Sequence, residues 1–323
     1  MSRLKKYYFQ VILIFLILAA NWFMMDAQRV EEWYATGVYI YIAKVLQLLL
    51  GWLPFSFGDL LYIAAIVYVI FTLHKSFKRP ILKTLDRLFK VGSMVWLLFH
   101  FLWGFNYYRT SIPEQFKLNE GEVKKEEIEA FTNHTLTQAN LYSNPQSATA
   151  DRPTTTIKPS LFGILGNYMG YGGYYNPFTG EAQINNYMPE FMLPYIAVHE
   201  AAHQKGYAKE SEANFIGYID AMDSGDSALL YSANLEMFLF ANRALRSFDS
   251  TLAKQNMERL SSRIKKDLAD YKVFAQKYYG PVDKFVTWFY TGFLNFNNQP
   301  EGMMSYNRGM VYTMRYLKVS YGL

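Results

Sequence analysis

Apolar positions crowd the first third of the chain, and a mixed polar pattern takes over after Tyr108. Residues 7–25, "YYFQVILIFLILAANWFMM", form an uncharged run long enough for one membrane crossing. The basic start also fits a signal peptide. However, the run is long, and Met25 and Ala27 flank an aspartate where a small-x-small cleavage site is needed, so it reads as an uncleaved anchor. Residues 58–74 and 91–107 supply the second and third spans. Between the first two spans, 37–53 is interrupted by Lys44 and Gln47 and closed by Gly51 and Pro54, so it is expected to lie on the outer surface or dip in partway.

The chain divides accordingly into a membrane anchor, 1–108, and a second domain, 109–323. In the second part Val123, Ile128, Phe131, Leu136 and Leu141 recur at helical spacing on a charged background, which predicts a surface helix over 120–141. A Ser/Pro/Thr/Asn-rich stretch at 142–160 reads as a loop with one short strand at "TTTIK". Tyr174 and Tyr175, a turn at Asn176–Gly180 and alternation up to Asn185 predict a β-hairpin. Residues 207–278 read as helical with breaks near 224–227 and 248–251, and a last apolar helix is expected around 282–295. The fold class is therefore α+β, mainly α: transmembrane helices followed by a domain with a small antiparallel sheet or hairpin.

Composition sharpens this picture in three ways. Apolar residues make up 51% of the chain, and the excess sits in the anchor. There is no cysteine, so any metal must be held by His, Asp or Glu. The net charge of +5 is local: Arg3, Lys5 and Lys6, with the segment 75–90, carry +8 between them and leave −3 for everything else. That is a topology signal and not a nucleic-acid footprint. With three spans, both basic segments face the cytoplasm of a multi-pass protein in the cytoplasmic (inner) membrane, and the second domain is extracytoplasmic.

The chemistry is concentrated in "AVHEAAHQKGYAKESEANF", residues 197–215. Pro194 suits the first turn of a helix, and Gly206 suits its end. His199 and His203 lie one turn apart on one face and can hold one metal ion, with Glu200 beside them as the candidate general base. Catalytic zinc needs a third protein ligand. Lys209 stands where a three-histidine pattern requires His, so a carboxylate must serve: Glu210, Glu212, Asp220, Asp223 or Glu236. Glu212 is favoured, because Gly206 lets the chain reverse and Glu212 then falls in the first turns of the next helix; Glu210 is the alternative. Asn214 is a candidate orienting partner, Tyr231 a candidate donor to a developing oxyanion, and residues 181–186 a candidate substrate-pairing strand. His74 and His100 read as interfacial or packing residues, and His134 as a solvated helix residue.

"HEAAHQKGYAKESEANF" resembles the gluzincin class of zinc hydrolases. More narrowly, the chain resembles the domain-of-unknown-function family 3810 of bacterial membrane proteins, through "GDLLY", "WGFNYYR", "GYYNPFTGEAQIN", HExxHQxG, ExEANF and "YSA". Lys205 departs from the wider zincin pattern, where an apolar residue is usual. The resemblance implies a membrane-anchored zinc (Zn2+) metallohydrolase, a peptidase in the first instance, with Glu200 as general base and peptide or protein substrates in the cell envelope. A metal-binding scaffold without turnover, or an amidase of cell-wall or lipid substrates, are the competing expectations.

Overall fold

A computed structural model describes residues 2–76, 81–143, 157–298 and 305–322. The chain forms two compact units, Met1–Thr110 with Asn176–Glu181, and Ser111–Tyr175 with Ala182–Leu323.

The first unit is helical. Two of its helices, Tyr7–Met24 and Ala27–Leu50, are long and apolar enough to cross a membrane. The second of these departs from expectation, because it contains most of the segment assigned to the surface. Asp26 caps its start by accepting the Arg29 amide at 3.0 Å, and a π-helical stretch at Val30–Val38 carries the helix into Tyr39–Leu50 without a break. The expected span at 58–74 lies in the helix Phe57–Ser76, whose apolar part is the shorter Phe57–Thr72. The third expected span ends early. The helix Ile81–Leu102 begins with the charged residues Lys83, Asp86, Arg87 and Lys90, and a 3-10 turn at Gly104–Tyr108 follows it. Its uncharged part, 91–102, is only about 18 Å long, against about 30 Å of hydrocarbon.

Two polar contacts fix this unit internally. Arg109 forks onto Glu31 at 2.6 and 2.8 Å, and Thr110 donates to the same carboxylate at 2.9 Å. Glu181, at the end of the Asn176–Glu181 segment, accepts the Phe57 and Gly58 amides at 3.1 and 2.6 Å and so caps the helix beginning there.

The second unit is mainly helical around a small mixed sheet. Strands β1 (Ile157–Pro159), β2 (Gly173–Asn176) and β3 (Glu181–Ile184) lie in the order β1-β3-β2. β2 and β3 form the expected hairpin. β1 then adds in parallel, with Ile157 opposite Ala182 and Pro159 opposite Ile184. The strand expected at "TTTIK" thus appears from Ile157; Thr154–Thr156 and most of the expected loop lie outside the described residues. The position of β3 corrects one expectation: residues 181–184 are the middle strand, with both sides already paired, so they cannot receive a substrate backbone.

The helix Lys125–Tyr142 is not merely a surface element. It packs against Ser227–Phe248 and buries Ile128, Phe131, Leu136 and Ala139, while Leu141 stays exposed. Leu193–Gln204, Glu210–Ser224 and Ser305–Tyr321 complete the core, with Val198, Tyr218, Met310 and Met314 in one cluster. The predicted breaks fall at Gly225–Asp226 and Asp249, where each aspartate caps the next helix; a further break at Arg259–Ser261 separates Ser250–Glu258 from Ser262–Tyr278. Pro281–Phe296 forms the expected late apolar helix.

The Arg109–Glu31 pair is nearly buried, so losing one partner strands the other charge. Arg109→Ala is expected to cost about 3–5 kcal/mol, whereas Arg109→Leu with Glu31→Leu recovers most of it. Thermal unfolding in detergent reads both effects.

Candidate metal centre

The helix Leu193–Gln204 starts with Pro194 in its first turn and ends at Gly206, whose φ of +90° suits glycine. The reversal is closed by the Gly206 amide on the His203 carbonyl and the Tyr207 amide on that of Ala202. Glu210–Ser224 then packs back on the first helix, with Ala202 and Ala213 fully buried between them. Small residues at this contact let the two helices approach closely enough for side chains of both to meet.

The group that meets is His199, His203 and Glu210. Their ligand-type atoms all lie within 4.8 Å of one another, and this is the one such group of three among the described residues. His199 Nε2 stands 3.1 Å from one Glu210 oxygen, and His203 Nε2 stands 3.7 Å from the other. Ligand atoms about 2.0–2.1 Å from a tetrahedral zinc lie about 3.3 Å apart, so these separations suit one ion. His203 Nδ1 lies 2.7 Å from the Tyr207 carbonyl. A carbonyl only accepts, so Nδ1 carries a proton, and Nε2 is the nitrogen that faces the group and would give up its proton to hold an ion.

Glu212 is therefore not the acid the structure brings to the histidines. Glu210 is the first residue of its helix; Glu212 follows two positions later, about 200° around the axis, and sits instead 3.6 Å from Lys209. Asp220 pairs with Lys205 at 2.7 Å, and Asp223 is exposed. Lys205, the departure from the zincin pattern, simply serves that surface pair. Asn214 takes part in contacts with Tyr195, whose hydroxyl donates to the Asn214 carbonyl at 2.9 Å, and not in contacts with the histidines. Tyr231 donates to Asp267 at 2.7 Å in a cluster with Leu136, Leu235 and Phe238, so it too lies outside this group. His100 is a buried packing residue whose ring lies tilted against Trp96, as expected.

One residue was missed. Tyr290, on the helix Pro281–Phe296, donates to Glu210 Oε1 at 2.6 Å. It is one of 27 tyrosines and 80 positions away, and no local pattern marks it.

Electrostatics follow from burial. Burial pushes Glu210 up, but its hydrogen bonds and charge attraction to His199 and His203 outweigh this and hold it well below the usual carboxylate range. Burial pulls His203 down, yet the Glu210 hydrogen bond and charge raise it to about 9. Glu200 is 5% exposed, and burial raises it to about 7 against the opposing pull of the two histidines. Its Oε2 has no hydrogen-bond partner among the described residues. Strand β2 passes close by: a Cβ on Gly173 would lie 2.9 Å from Glu200 Cγ and Oε1, so only glycine fits there. Glu236, on Ser227–Phe248, is raised by burial and lowered in part by Arg243 and His199.

A family model described as a protein of unknown function, DUF3810, matches residues 34–314. No curated protein and no solved structure matches the chain.

Two outcomes are expected. Purified protein loaded with zinc should lose the ion in the His203→Ala and Glu210→Ala variants, and keep it in Glu212→Ala, by elemental analysis. In metal-free protein, His203 is raised to about 9 from 6.5. Its contribution to stability is therefore complete below about pH 6.5 and is lost as pH rises through 9. The melting temperature should fall across that window, and His203→Gln should flatten the fall.

Proposed function

As the chain belongs to the DUF3810 family, we propose its chemistry from the site: a membrane-anchored metallohydrolase, a peptidase in the first instance. The observation that carries this is the pairing of His199, His203 and Glu210 with the buried Glu200 beside them. Zinc suits a His₂Glu set, and when bound there it would polarise a scissile carbonyl and acidify a water.

The chain's own residues then have separate tasks. Glu200 takes a proton from water and delivers it to the leaving amine; its buried carboxyl and its pKa of about 7 suit a group that must both accept and give one near neutrality. A purely structural site has no use for such a base between its histidines. Tyr207 O orients His203, and Tyr290 orients Glu210. β2 lies at the sheet edge with Gly173 against Glu200, so an extended substrate backbone that adds to Gly173–Tyr175 comes to lie beside the base.

Anchoring is supported by the two long apolar helices. The basic N-terminus and the basic segment 75–90 favour the cytoplasmic side. That charge bias is what supports an outer-face location, with envelope peptides as the substrates; helix length adds nothing to it, since Ala27–Leu50 is long enough for a further crossing and the uncharged part of Ile81–Leu102 is too short for one.

Glu200→Gln should retain zinc and lose about 10²–10⁴-fold in turnover. Comparing envelope peptides from wild-type and Glu200→Gln cells measures this. If the variant binds zinc and leaves both the peptide profile and a deletion phenotype restored to wild type, the scaffold reading stands in place of the enzyme.

A further inference from the structure

The helix Pro281–Phe296 has two faces of different character. Val282, Phe285, Trp288, Phe289, Phe293 and Phe296 are all exposed, with Trp288 at 71% and Phe285 at 65%. At 100° per residue these six fall within one arc of about 140°. Tyr290 and Leu294 lie outside that arc; Leu294 is fully buried, and Tyr290 donates to Glu210. Leaving six large apolar groups in water on a sixteen-residue helix is costly, at about 1.5–3 kcal/mol for each side chain that could be buried. Such a face implies an occupant.

Three features single out the occupant. The face is Phe- and Trp-rich, the composition of helices that lie in a lipid–water interface. Lys284 sits at the margin of the arc, and the preceding helix, Ser262–Tyr278, carries Lys265, Lys266, Lys272 and Lys277, suited to anionic headgroups. The same chain also holds two helices apolar enough to cross a bilayer, so a bilayer is present in cis whenever the anchor is inserted.

We propose that Pro281–Phe296 is an interfacial membrane-binding helix that seats its aromatic face in the bilayer surface while its opposite face, through Tyr290, forms part of the wall of the candidate metal centre. The inference rests on the membrane anchoring proposed above. It deepens that reading by naming the substrate class: the bonds cleaved are those of peptides lying at, or emerging from, the lipid surface. Bilayer contact also fixes the helix that holds Glu210, so membrane binding and the geometry of the site are linked.

The absence of native cysteine makes the test direct. Full-length protein carrying Phe285→Cys, Trp288→Cys, Phe15→Cys or Lys254→Cys is labelled with an environment-sensitive fluorophore and reconstituted in vesicles of phosphatidylethanolamine and phosphatidylglycerol. Labels at 285 and 288 should shift to the blue and be quenched by nitroxide-bearing lipid, as should the label at 15 in the first apolar helix; that at 254 should be quenched only by aqueous iodide. If 285 and 288 behave like 254 while 15 reads lipid, the inference is overturned and the anchor stands. Protection of 285 and 288 from both quenchers also overturns it, and indicates a protein partner. Lipid quenching at 285 and 288 without quenching at 15 upholds the inference and overturns the anchor. Aqueous behaviour at all four sites overturns both.

Discussion

The second unit is organised around one electrostatic problem: a carboxylate and two imidazoles lie out of water with their ligand atoms within 4.8 Å of one another. Ionised groups out of water are costly unless they are paired. Glu210 meets this by facing both His199 and His203 while accepting from Tyr290. Much of the local architecture serves that meeting. The two histidines need consecutive turns of one helix, Glu210 needs the first position of the next, and the five-residue turn at Lys205–Lys209 sets the distance between them. The alanines between the helices matter because a larger side chain there would separate the carboxylate from the rings.

Glu200 faces a different constraint. It sits on the same helix but is held against β2, where Gly173 leaves just enough space for its side chain. Burial without a full set of hydrogen-bond partners keeps its carboxyl protonated to about pH 7. Positive charge added at the neighbouring trio lowers that value, since Glu200 already responds to the charges on His199 and His203. On the proposed reading, Glu200 is thus ionised in the state in which the site carries a cation. The sheet contributes mainly by position, because it presents an edge strand beside this carboxyl.

Features set by local pattern were legible in the sequence. The HEAAH spacing, the Gly206 stop, the hairpin and the two aspartate-capped breaks depend on residues within a few positions of one another. Glu210 was harder, since choosing it over Glu212 depends on which residue opens the helix, and one position turns a side chain by about 100°. Tyr290 and the parallel β1–β3 pairing depend on contacts between distant segments, which no local period records. In the first unit, the helix Ala27–Leu50 takes in Glu31 and Glu32 as well as the interrupting Lys44 and Gln47. The chain stays helical through the two glutamates, because Asp26 caps the helix and Arg109 neutralises Glu31.

The late apolar helix shows why a hydrophobic period alone is an incomplete guide to burial. Its pattern correctly predicts a helix, and in a soluble domain the apolar arc would be its inward face. Here the inward face is narrower and partly polar, with Tyr290, Leu294 and the capping Asp283, while the broad aromatic arc faces outward. The hydrophobic effect does not distinguish a protein core from a bilayer as the destination of such an arc; both remove it from water. In a chain whose apolar excess lies in its N-terminal helices, the aromatic arc near the other end of the sequence follows the same solvent logic. The helix position that binds Glu210 is then set by two environments at once: a buried carboxylate on one face and lipid on the other.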